Sequence, residues 1–508
     1  MTESILERYK SQIAGTLTCF DRIIISGTIP GVCYPEGMAR HITTKGVRLF
    51  DYPRYVEPLR EEIRTNAEKI AKENELDIEH IRSKHAFRKE DRIKEILQQR
   101  GNHEGIVHIF SAMEPCPAYT PWHDKQTGKT TIRYKDGKCL HYYFYFIDKT
   151  YGLCYLRVPT WAPFRLQFYL NGHNYLANKL TEQNVGYKQL DNTFLSFDDW
   201  NKAQSLADGF SAGVLHVALD LWAQKLCPIL YHFGEVKHHW SITQCELALD
   251  VVFYRQKDLA PLYDSLVRTA VHAVKCDNVA TFLGRKLDGR FKDELGNDFH
   301  TCIVGTRVKH HMGSVSIKMY DKAGLVLRVE TTVNVVKFFR HYREVEHRDG
   351  SVEMKWVCMQ KTVYSLGALC ECLVGSNRRY LEFISELVVP CAGVLDVERL
   401  SGSVRVGGRS VGGFNLFCEL DLEVVLALVR GEGVVFGVTN KLLRGVLSGS
   451  KSSAQVSCVL RRLRLRGLIK KVAHSFRYYL TGLGRRVLLT GLKLRELVVI
   501  PTLAGVLT

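Results

Sequence analysis

Hydrophobic and polar positions along the chain follow two rhythms, one of period two and one near 3.6, and they alternate from segment to segment. Residues 19–27 (CFDRIIISG) form an apolar run that predicts a strand ending in a turn. Charged segments come next. Residues 57–76 carry apolar positions at helical spacing, and a second helical pattern over 86–101 closes on Gly101, a plausible C-cap. Strand signal then dominates. Residues 107–113 are a short apolar run, 139–147 (CLHYYFYFI) are dense in aromatics, a turn falls at 148–152, and 153–158 return as a strand. Residues 164–182 read as a helix.

The same grammar recurs over 240–345. It predicts a strand over 240–253, an amphipathic helix over 259–275, strands over 279–285 and 301–309, a hairpin of 314–320 with 325–332, and a helix over 335–346. Residues 362–388 read as helices, and the Gly, Ser and Val rich stretch 391–413 as a linker. Mixed rhythms of this kind predict an α+β protein. The expected parts are a mainly helical region (1–105), a first α+β module (106–235), a second (236–390), the linker (391–413) and a C-terminal domain (414–508). Segments 147–160 and 320–332 match across two one-residue gaps, each with Asp-Lys at a hairpin tip and Leu-Arg-Val beyond it. Internal duplication and the ordinary recurrence of hairpins both account for that match. Under duplication, Ile147 and Pro159 stand opposite Tyr320 and Glu330.

With 508 residues the chain exceeds one compact core, and its 46% apolar content argues for folded domains throughout. Fifteen cysteines at irregular spacing, without a Cys-x-x-Cys, do not read as a secreted disulfide framework. The start MTESILERYK lacks an apolar run after a basic start, and no stretch of eighteen apolar residues occurs, so neither signal peptide nor membrane span is expected. These readings point to a cytoplasmic, nucleoid-associated protein with no membrane partner. The formal charge is +17. Its placement matters more than its size, because 451–486 holds ten Lys or Arg and no acid, a segment suited to phosphate.

That basic segment sits in a recognisable order. Residues 421–430 predict a helix, 436–438 an extended piece, and 441–447 a second helix capped by Thr439 or Asn440. A third helix begins near Ser452, and wing strands come after it over 468–472 and 476–480. The order resembles the winged-helix family, including repressors of the multiple-antibiotic-resistance type. The resemblance implies duplex DNA binding. Ser452, Ser453 and Gln455 would lie near base edges, and Arg461, Arg462, Arg464, Lys470, Lys471 and Arg477 would lie on the backbone or minor groove.

A second resemblance covers about ninety residues. CELALDVVF (245–253), TFLGRK (281–286) and SIKMYDKAGLVLRVETT (316–332) look like the replication-initiation-factor family, the rolling-circle plasmid initiators and related relaxases. The family's Arg before the tyrosine is Lys318 here. The resemblance implies a Rep-like module that handles single-stranded DNA, two such modules under duplication, followed by the winged helix, in a DNA-nicking protein of a mobile element. The chemistry needs a phenol to attack phosphorus, cations beside it, and a divalent metal, Mg or Mn, on carboxylates or His. Tyr320 with Lys318 and Lys322 fits the first two needs. Asp250, Glu246, Glu330 and His311 fit the third. Outward-facing aromatics of 142–146 would suit base stacking. A homo-oligomer is compatible with such a role. The competing reading is a non-enzymatic winged-helix regulator or accessory factor.

Overall fold

The computed structural model describes residues 5–82, 88–234, 237–285, 299–304, 307–347, 349–387, 398–406, 408–429, 437–447, 452–473 and 475–503. It is α+β, and among these residues no helix is long and apolar enough to cross a membrane. The chain divides into two compact units, each assembled from separated stretches. The first comprises 18–247 and 332–370, the second 1–17, 248–331 and 371–508. The boundaries expected at 105, 235, 390 and 413 do not mark these units, because backbone pairing joins segments that are distant in the chain.

After a short helix α1 (Ile5–Arg8) the chain enters the long strand β1 (Ile13–Thr28), then helices α2 (Pro35–Thr44) and α3 (Tyr52–Glu73). Next come strand β2 (Ile78–Ile81), helix α4 (Lys89–Arg100), strands β3 (Gly105–His123), β4 (Thr130–Asp148), β5 (Gly152–Pro159) and β6 (Leu166–Asn171), and helix α5 (Gly172–Glu182). Within the first unit the sheet order is β1-β6-β5-β4-β3-β2, antiparallel except for the β2–β3 pair. Arg22 pairs with Asn171 and Ile24 with Tyr169, so β1 joins a partner strand more than a hundred residues further along the chain. A mainly helical region over 1–105 is therefore not a separate part.

Residues 164–182 are strand then helix, not one helix. Leu166, Phe168 and Leu170 alternate into the core with no exposure, and only at Asn171, which accepts from the His173 amide, does helix α5 start. The aromatic run of β4 is covered on both sides. Phe144 and Phe146 are wholly buried, and Tyr143 and Tyr145 pack with Ile93 of α4. Those tyrosines are therefore not free to stack bases. The unit continues through the ribbon β7 (Tyr187–Leu190) and β8 (Thr193–Phe197) and helices α6 (Trp200–Asp208) and α7 (Ala212–Leu226).

Strand β9 (His239–Phe253) leads into the second unit, with helices α8 (Gln256–Ala273) and α9 (Cys276–Phe282). The strand expected over 279–285 does not form. Residues 276–282 are helix instead, started where the Asn278 side chain accepts from the Lys275 amide, and a turn succeeds the helix. Strands β10 (Phe299–Val304), β11 (Arg307–Met312), β12 (Val315–Lys322) and β13 (Val326–Val333) complete the order β10-β11-β12-β13-β9. Residues 335–346 form a short 3-10 turn and then strand β14 (Arg340–Glu346), paired with β15 (Val352–Cys358). Alternation in RHYREVE and a nearby partner strand outweigh its helical reading. Helix α10 (Leu366–Leu387) comes after this ribbon.

The stretches 13–182 and 239–387 thus each run strand, helices, then strands of which the last returns beside the first, then a helix, preceded in the second stretch by the ribbon β14–β15. Counted by strand order, β12–β13 corresponds to β5–β6. The sequence match of 147–160 with 320–332 instead aligns it with β4–β5, so the two registers disagree.

Part of the expected linker is structured. Residues 398–413 include the ribbon β16 (Val404–Val406) and β17 (Arg409–Val411), and Leu400 joins the C-terminal core, while 391–397 lie outside the described residues. That core gathers helices α11 (Glu419–Val429), α12 (Asn440–Val446), α13 (Ser453–Leu465) and α14 (Gly482–Leu494) around Val424, Leu428, Leu443, Leu460, Leu463 and Val487. Between α13 and α14 lies the ribbon β18 (Ile469–Lys471) and β19 (Tyr478–Leu480), and Val438 bridges to Tyr478 as a third short strand. The order is helix, strand, helix, helix, ribbon, helix, as the pattern over 421–480 predicts.

Glycine at 484 is required by packing, since a Cβ there would lie 1.9 Å from the Leu468 carbonyl oxygen, whereas one at Gly445 meets nothing within 4 Å. Gly484→Ala is expected to lower the midpoint of urea unfolding of the C-terminal body. Gly445→Ala, inside α12, should leave it unchanged or raise stability by up to about 1 kcal/mol through helix propensity. Equal midpoints for the two variants would contradict this packing.

Candidate active site and nucleic-acid interface

The hairpin β12–β13 turns on Ala323 (φ 56°) and Gly324 (φ 70°), the left-handed pair of a two-residue turn whose twist suits the flanking strands. Alternation along β12 sends Val315, Ile317 and Met319 into the core and leaves Ser316, Lys318, Tyr320 and Lys322 on the other face. On that face the Lys318 ammonium donates to Glu330 Oε1 at 2.7 Å, and the Tyr320 hydroxyl donates to Glu330 Oε2 at 2.7 Å. The Glu330 side chain is 2% exposed. A buried carboxylate is tolerable when paired, and here the lysine supplies the charge and the phenol a hydrogen bond. Chemically, Glu330 is placed to receive the phenolic proton and Lys318 to offset the charge that develops.

Asp250 is corrected as a metal ligand. Arg328, wholly buried, donates through Nε and a terminal nitrogen to both Asp250 oxygens at 2.6 Å. A bidentate fork of this kind engages both carboxylate oxygens. His311 is also not brought to Tyr320. It lies opposite Ser316, four residues from Tyr320, or roughly 13 Å along the strand at the usual rise. Its neighbour His310 is buried on the opposite face, 3.2 Å from the Tyr380 hydroxyl, and burial holds its imidazole neutral by lowering its pKa to about 4.

Glu246 is buried in the first unit, where its Oε1 accepts from the Thr332 hydroxyl at 3.0 Å and its Oε2 is 3.8 Å from Arg22 Nε. Asp21 is its neighbour, with one oxygen of each carboxylate within 4.8 Å of the other. Asp21 Oδ1 accepts from Asn192 at 2.7 Å and Asn171 at 3.3 Å, and His173 Nδ1 stands 3.4 Å away. Sequence reasoning passes over Asp21. The signal is available all the same, because an aspartate inside the apolar run CFDRIIISG must be either exposed or specifically paired.

In the C-terminal body the third helix starts with a capping box. The Ser452 hydroxyl accepts from the Gln455 amide, and the Gln455 side-chain oxygen accepts from the Ser452 amide at 2.8 Å. The Gln455 oxygen is therefore committed to the helix end, and bidentate pairing with adenine would need that cap to open. Asn440 of α12 clamps the same turn, donating to the Ser453 carbonyl and the Ser457 hydroxyl, both at 2.9 Å. Arg462 is structural. It pairs with Asp421 and lies 3.8 Å over the Phe414 ring. Arg466 is likewise buried against backbone carbonyls of Val411 and Leu400. Arg461, Arg464, Lys470, Lys471 and Arg477 are exposed, along with Ser452 and Ser453.

Comparisons of the chain with family models, with curated proteins and with solved structures each find no match.

The Arg328–Asp250 fork gives a direct test of the site's foundation. Arg328→Met strands a buried carboxylate and is expected to cost about 3–5 kcal/mol in urea unfolding. The double variant with Asp250→Leu should recover most of that loss. Additive losses in the double variant would show that the pair is not the reason either residue is buried.

Proposed function

We propose that this is a DNA-binding protein of a mobile element that nicks and joins single strands through Tyr320. The observation that carries the reading is the Tyr320–Glu330–Lys318 cluster, a phenol hydrogen-bonded to a carboxylate that a lysine neutralises. In the step proposed, the Tyr320 oxygen attacks phosphorus and its proton passes to Glu330. A P–O bond to the adjoining nucleotide breaks, and the departing sugar oxygen takes a proton from water. The product is a phosphotyrosine link, and reversal onto another strand end joins DNA. Asp21 and Glu246, within the first unit, are the paired hard donors that would suit a divalent cation, Mg or Mn. The resemblances to replication-initiation factors and to winged-helix proteins support the reading. So does the exposed cation set of α13 and the wing, which would hold duplex DNA.

A non-enzymatic regulator is the second reading. It is favoured by the near-complete burial of Glu330, which makes the cluster self-sufficient without a substrate. The full chain incubated with Mg and single-stranded DNA from the flanks of its own gene is expected to form a covalent adduct that survives denaturing electrophoresis. Tyr320→Phe should fold, bind duplex DNA normally and form no adduct. Wild-type adduct yield from Tyr320→Phe, or none from the wild-type chain, would leave the regulator as the better reading.

Duplex binding has its own check. Replacing Lys470, Lys471 and Arg477 with Ala should weaken affinity for all sequences alike. The log–log salt dependence should flatten by about 0.9 for each phosphate that is no longer neutralised. An unchanged slope would remove the wing from the interface.

A further inference from the structure

Phe476 is the most exposed large apolar side chain among the described residues, at 84%. It stands at the tip of the ribbon β18–β19, in a segment with ten basic residues and no acid over 451–486. The tip is a built turn. The Ser475 amide donates to the Val472 carbonyl at 3.3 Å and its hydroxyl to the same oxygen at 3.1 Å, while the Val472 amide donates to the Arg477 carbonyl at 3.0 Å. The Arg477 amide donates to the Ser475 hydroxyl at 3.3 Å. These bonds hold residue 476 out from the ribbon. Where the ribbon meets its tip, Tyr478 is opposite Lys471 and exchanges both backbone hydrogen bonds with Val438, at 2.8 and 2.9 Å, which braces the strand from which the tip projects. Lys471 lies 5.6 Å from the Phe476 ring centroid, and Lys470 and Arg477 are exposed beside it.

We propose that Phe476 is a wedge that enters the minor groove of duplex DNA and unstacks a base step, opening the duplex locally. The inference rests on reading the C-terminal body as a DNA-binding domain, and it adds a distortion step to that reading. A phenyl ring left in water is unfavourable, and the chain that carries it suits an apolar protein partner poorly because the charges of 451–486 are all basic. The same surface suits a polyanion with an apolar interior. The cations beside the tip take phosphates on either side of the groove, and the ring stacks on the base face that the opened step exposes. Flexible pyrimidine–purine steps yield most easily to such a wedge. Local opening is also what a tyrosine acting on single strands requires, so the wing would prepare its substrate.

The test uses the full chain and a short duplex with 2-aminopurine at a central TA step, at low salt. Wild-type protein is expected to bind and raise the 2-aminopurine fluorescence several-fold. Phe476→Ala should bind with the same salt slope and leave the fluorescence at that of free DNA, and Phe476→Trp should restore the rise. Binding by the wild-type chain without a rise, or a wild-type rise from Phe476→Ala, overturns the wedge while leaving DNA binding intact. Absence of any wild-type binding overturns the DNA-binding reading, and the wedge with it.

Discussion

A guanidinium with no exposure can stay charged only against a carboxylate that meets it squarely, and Arg328 has that partner in Asp250. The pair ties β13 to β9 through side chains. It also fixes which way β13 faces. With Arg328 locked, the period of two places Glu330 on the same face, and Glu330 then receives Lys318 and Tyr320 from β12. The arrangement of the candidate nucleophile therefore depends on a neighbouring ion pair that takes no part in the chemistry. Such a pair contributes little net stability compared with an apolar substitute, but removing one member is costly.

Sequence pattern is informative where a segment has one environment. The C-terminal helices and ribbon, the hairpin β12–β13 and the strand β9 lie close to where periodicity places them, because each buries one face against a single core. It fails where tertiary pairing outweighs local propensity. Leu166 to Asn171 is helical in composition but is stitched between β1 and β5. Residues 340–346 extend because 352–358 offer them a partner. The site is legible in part. Tyr320 and Lys318 share a face as the alternation predicts, whereas Glu330, expected as a metal ligand, accepts a hydrogen bond from each of them. Asp250 reads as a free acid because its arginine stands 78 residues away in the chain. Asp21 escapes notice because the feature that matters, its neighbour Glu246, lies over two hundred residues further on.

The basic segment shows the same division of labour within one helix. Of four arginines clustered on α13 and its end, Arg462 and Arg466 hold the body together through Asp421 and through backbone carbonyls. Arg461 and Arg464 point to solvent. Counting charges alone overstates the interface, since a guanidinium already engaged gives up protein partners to meet phosphate.

The interleaving of the two units bears on biosynthesis. Strand β1 is made early, yet its partner β6 begins about 140 residues later, on the order of ten seconds at common elongation rates. Until then an apolar sixteen-residue strand leaves the ribosome without its sheet. The second unit waits longer still, since its stretches bracket almost the entire first unit. Neither unit can be released by a single cut of the chain. A nascent polypeptide of this design depends on being kept from wrong pairings until late in its synthesis, and its folding rate is set by those long loops rather than by its helices.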